Sequence, residues 1–141
     1  MQNKWMFSAA AILLLALLIS FAGLPPSLLS QQPQKPKEHK LSILKIKKKW
    51  KVARSNDSTQ TRVVAQRGDK IVWKAKGSDV FFQFSDDKLF GEYNATLKNG
   101  KKLELTVGPE ARSGPNVYSV FCLADSSFAT GDSPPVIIVE P

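Results

Sequence analysis

Residues 41–52 read LSILKIKKKWKV, and apolar and charged side chains alternate along them with a period of two. The even positions Leu44, Ile46, Trp50 and Val52 are apolar, whereas the odd positions Lys45, Lys47, Lys49 and Lys51 carry ammonium groups. Successive side chains on a strand point to opposite faces, so the pattern predicts one strand with a core face and a lysine ladder in water. Lys48 breaks the inward set, which predicts a bulge or a strand edge at that point.

The same alternation recurs between turn signals further along the chain, and no long 3.6-residue periodicity competes with it. Arg62 to Gln66 forms a short run before Arg67-Gly68-Asp69-Lys70. Ile71, Trp73 and Ala75 then alternate with Val72, Lys74 and Lys76. In VFFQF, residues 80–84, Val80, Phe82 and Phe84 share a face, with Phe81 on the other. Leu103, Leu105 and Val107 follow the turn at Asn99-Gly100. Tyr118, Val120 and Cys122 share a face of a later strand, and Val136 to Glu140 closes the chain. About seven short strands, well punctuated, predict an all-β sandwich or small barrel.

Upstream of the strands, residues 7–24 read FSAAAILLLALLISFAGL without a charge. A short start with Lys4, an apolar run, and Ser20-Phe21-Ala22 before Gly23 match a secretory signal cleaved after Ala22, so that residues 1–22 leave the protein. At 18 residues the same run reaches the lower limit for spanning a bilayer, so a retained anchor is the other reading. Residues 23–39, GLPPSLLSQQPQKPKEH, are rich in Pro, Gln and Lys and predict an extended linker, leaving residues 40–141 for one folded domain. His39, the only histidine, falls in that linker and reads as solvated, since no second metal ligand is near it in sequence.

Charge is concentrated locally. The formal net charge is +8, and residues 35–54 hold nine Lys or Arg against the single acid Glu38, while the rest of the domain is nearly balanced. A local excess of this kind does not make a nucleic-acid-binding domain. It does give Lys45, Lys47, Lys49 and Lys51 the reach to attract an anionic surface, against the plainer reading of a solvated face that protects a sheet edge. A single cysteine, Cys122, excludes an intrachain disulfide. The acids Asp86, Asp87 and Glu92 read as a polar loop after VFFQF. No histidine is placed to activate Ser126, Ser127 or Cys122, and no phosphate-binding glycine loop occurs, so an enzyme finds no support.

The order Trp50-x-Val52, Gly68-Asp69-Lys70-Ile71-Val72-Trp73, Val80-x-Phe82-x-Phe84 and Tyr118-x-Val120-x-Cys122, with a closing strand, resembles the cupredoxins over about residues 41–140. The resemblance implies a Greek-key β-sandwich and an exported protein, periplasmic or otherwise extracytoplasmic. It also implies a blue-copper site, which needs two imidazoles and a thiolate, usually with a weak axial Met. Cys122 matches the thiolate position. Val80 stands where the first His would fall, Asp125, Ser126 and Ser127 where the second would, and Thr130 near the axial Met. The expectation is therefore a non-catalytic envelope module without a complete copper site, bound to an unidentified envelope protein or an anionic surface and not to nucleic acid. The alternative is a copper carrier or chaperone that uses Cys122 with Asp125.

Overall fold

The chain does not run straight through residues 41–52. It reverses at Lys47-Lys48, where both residues take left-handed φ values of 46° and 66°. The result is a two-residue hairpin between β1 (Glu38–Ile46) and β2 (Lys49–Arg54), with Ile46 opposite Lys49 and Lys45 opposite Trp50. Two residues with positive φ give the turn a twist that matches the flanking strands. Because such a turn pairs an odd residue with an even one, the inward set changes parity across it. Leu41 and Ile43 face the core from β1, and Trp50 and Val52 from β2. Leu44 and Ile46, predicted inward, lie half-buried on the outer face.

The computed structural model describes residues 34–131 and 134–141. The apolar run at 7–24 and most of the proline-rich stretch fall outside them. After the hairpin come β3 (Val63–Ala65), β4 (Lys70–Ala75), β5 (Val80–Phe84), β6 (Asn94–Leu97), β7 (Lys102–Thr106), β8 (Gly114–Cys122), β9 (Ser127–Phe128) and β10 (Val136–Val139). The described residues thus hold ten strands where about seven were expected. The increase comes from the split at Lys47-Lys48 and from the short strands β6 and β9.

The strands form an all-β sandwich. One sheet has the order β2-β1-β4-β7, and the other runs β3-β10-β8-β5-β6 with β9 paired to β8. Parallel pairs β1–β4 and β10–β3 sit among antiparallel ones, so the connections cross between the layers. The inward residues interdigitate around Trp73, whose ring centroid lies 5.2 Å from Phe82, 5.6 Å from Phe90 and 5.9 Å from Tyr118. Burying each large apolar side chain there contributes roughly 1.5–3 kcal/mol relative to exposure. Trp73 Nε1 donates to the buried Tyr118 hydroxyl at 3.3 Å, which satisfies the one polar group of the indole. Lys35–Pro141 forms a compact unit with this core of its own.

Candidate functional site

The corner that holds Cys122 is built by β5 and β8. Val80 and Cys122 are direct antiparallel partners, and both are shut into the core at 1% and 0% exposure. Burial first, and the nearby Asp125 carboxylate second, together push the Cys122 thiol up to about 11. At neutral pH the sulfur is therefore a neutral thiol among apolar neighbours, whereas a metal ligand must be a thiolate.

Asp125 ends the short 3-10 turn Leu123–Asp125, and its carboxylate is already engaged. Lys45 Nζ donates to Oδ2 at 2.5 Å, and Trp50 Nε1 donates to the same oxygen at 2.7 Å. These hydrogen bonds hold the carboxyl below the usual carboxylate range. Ser126 takes a left-handed conformation to close the turn. Ser127 pairs with Cys122 in the β8–β9 ladder, and Thr130 Oγ1 donates to the Trp50 carbonyl at 3.2 Å. Among the described residues, no three His, Cys, Asp or Glu side chains gather. The donor set does not fit a type 1 copper ion.

His39 lies elsewhere and has a different role from the one its sequence position suggested. It is a half-buried residue of β1, six residues along the strand from Lys45, roughly 20 Å at strand rise. Its Nε2 donates to Asp69 Oδ2 at 3.0 Å. The buried Asp69 also accepts from the backbone N–H groups of Lys37 and Gln66, at 2.8 and 2.9 Å. Burial works against the charged form of Asp69, but the donors from Gln66, His39 and Lys37 prevail and hold its pKa below the ordinary value. The pair fastens the start of β1 to the turn before β4. Nothing in the sequence spacing of residues 39 and 69 signals it, because β1 and β4 meet only through a parallel crossover.

The lysine ladder expected from residues 45–51 is broken by the hairpin. Lys47 lies in the turn, and Lys45 is on the core side beside Trp50, with Nζ 5.7 Å from the indole centroid. Only Lys49 and Lys51 share the outer face, each opposite a half-buried apolar residue of β1. The loop acids separate as well: Asp86 accepts from Lys88 N at 2.9 Å as the cap of the turn Asp87–Leu89, and Glu92 is exposed.

No family model matches the chain, and no curated protein does. Among solved structures, a Cu(I) form of an amicyanin variant is 16% identical, with 75% of this chain and 85% of that chain covered at a TM-score of 0.44. A second Cu(I) amicyanin variant is 17% identical, with 73% and 82% covered at a TM-score of 0.43. An oxidised variant is 18% identical, with 72% and 80% covered at 0.42. Overlap this partial at such identity transfers no ligand set and no role, and the copper is a property of those proteins.

Proposed function

We propose that this chain is an exported, non-catalytic β-sandwich module of the cell envelope, without a type 1 copper centre, that binds a partner or serves structurally there. The observation that carries the reading is the Val80–Cys122 corner. Its sulfur is sealed in the core opposite a valine, and the one nearby carboxylate is committed to Lys45 and Trp50. Export is supported by the composition of residues 7–24, which fits a cleaved signal or a retained anchor.

Titration of the purified protein with Cu(II) tests the claim about copper. Weak, substoichiometric uptake without an intense visible band is expected. A strong blue band with one copper retained per chain, lost in Cys122→Ser, overturns it. The intact mass of the protein isolated from its own cells tests export, since cleavage after Ala22 removes residues 1–22.

A further inference from the structure

The outer face of the β2-β1-β4-β7 sheet collects lysines from strands far apart in sequence. Register places Lys40, Lys49, Lys51, Lys74 and Lys102 on it, with Lys74 directly opposite Lys102, and Lys76 just after β4 lines the same depression. Like charges so placed repel and destabilise a sheet. Among the described residues, two acids share the face: Glu38 beside Lys40, at 3.2 Å, and Glu104 on Lys70, at 2.6 Å. Lys40, Lys74, Lys76 and Lys102 rim a depression of about 220 Å³ whose lining includes the buried Ser42 and Val72. Leu44 and Ile46 continue the same face toward the hairpin.

From this arrangement we infer that the outer face of the sheet docks on an anionic phospholipid surface, with a headgroup phosphate in the lysine-rimmed depression. Three features select that occupant. Six lysines against two acids leave an excess of positive charge that complements a negative leaflet, where each lysine near the surface contributes about 1 kcal/mol. The six cations named are all lysines, compact point charges on flexible stems without the planar fork that reads one carboxylate or phosphate bidentately, which suits a fluid array of phosphates. The face extends from Lys40 to Ile46, roughly 20 Å along β1, well beyond one small anion, and its hairpin end offers apolar side chains to the interface. The inference gives the proposed binding role its partner and rests on that role. Its test is separate, because copper binding would overturn the copper reading without moving vesicle binding.

Because Lys35–Pro141 has its own core, a chain beginning at Gly23 keeps the fold and omits the apolar run. That chain is sedimented with vesicles of phosphatidylcholine alone and of equal parts phosphatidylcholine and phosphatidylglycerol. Binding to the anionic vesicles only, lost as salt is raised from about 0.05 to 0.5 M, is expected. The double substitution Lys74→Gln/Lys102→Gln should lower partitioning about thirtyfold, at roughly fivefold per lysine. It also removes a repulsion, so a melting midpoint at or above that of the parent shows the variant to be folded. Lys88→Gln/Lys98→Gln, whose lysines pair with Glu110 and Asp79 off this face, should change partitioning by less than about twofold. No preference for anionic vesicles, equal loss in the two double variants, full displacement by millimolar inorganic phosphate, or binding to polyglutamate without binding to vesicles would each overturn the inference.

Discussion

Lys45 and Trp50 face each other across the β1–β2 hairpin and donate to one oxygen, Asp125 Oδ2. The Asp125 carboxylate is a latch between the layers, because Asp125 follows β8 of one sheet and the hairpin belongs to the other. Its two donors differ in value. The Lys45–Asp125 pair is 43% and 41% exposed and therefore well screened, whereas the Trp50 side chain is nearly buried.

Asp125→Ala should accordingly lower the thermal midpoint by about 4–8 °C, because it leaves the Trp50 N–H without its acceptor. Lys45→Met should lower it by less than half as much. Equal losses in the two variants, measured by circular dichroism, would assign the latch to the ion pair instead of the indole.

The hairpin turn offers a gain. Lys47 and Lys48 both hold positive φ, which β-carbons disfavour and which Asn-Gly adopts readily. Lys47→Asn/Lys48→Gly should raise the midpoint by about 4–8 °C. An unchanged or lower midpoint would mean that the turn is not of this left-handed type.

That turn also marks where sequence reading stops. Strands β4, β5 and β8 were legible because each has one face on the core, so that period-two alternation records the side each residue takes. A reversal formed by two lysines inside a lysine run carries no Gly, Pro or Asn to announce it, so the break at Lys48 reads as a bulge or a strand edge, with the inward parity carried past it. Placing Cys122 in the core needed only parity, whereas the contacts of Asp125 with Lys45 and Trp50 join residues 80 and 75 positions apart. The basic sheet face has the same origin: Lys40, Lys74 and Lys102 become neighbours only once the strand order is known.

Asp69 makes stability depend on pH. Its folded pKa lies below the ordinary value of 3.8, so the unfolded chain binds the proton more readily and stability rises with pH through this range. The contribution is fully present above about pH 5 and is lost as pH falls below the ordinary value toward the folded one. Asp69→Asn should cost about 1–3 kcal/mol at neutral pH and flatten that acid limb in urea titrations. An acid limb as steep as that of the parent would place the titration elsewhere.

The Cys122 thiol, buried and pushed up to about 11, should be inert toward a disulfide reagent in native protein at pH 8. Labelling should proceed at the rate of unfolding and become immediate in denaturant. Fast native labelling would show that the corner opens to solvent and would undercut the sealed-corner reading on which the absence of a copper centre rests.

Gly108 tests how tightly the turn Asp87–Leu89 is held. A β-carbon at Gly108 would sit 2.5 Å from the Lys88 carbonyl oxygen, closer than real contacts allow. The close approach serves a hydrogen bond from Gly108 N to the Leu89 carbonyl at 2.8 Å, and that bond keeps the Leu89 side chain in the core. Neither partner in the clash is a side-chain end that could swing aside, so the backbone must move and Leu89 with it. Gly108→Ala should therefore cost about 1–3 kcal/mol, the range for forced overpacking. Leu89→Ala alone should cost about 2–5 kcal/mol through the cavity it leaves. If the clash acts by displacing Leu89, the double variant loses little more than Leu89→Ala alone, and full additivity in urea unfolding would separate the two effects.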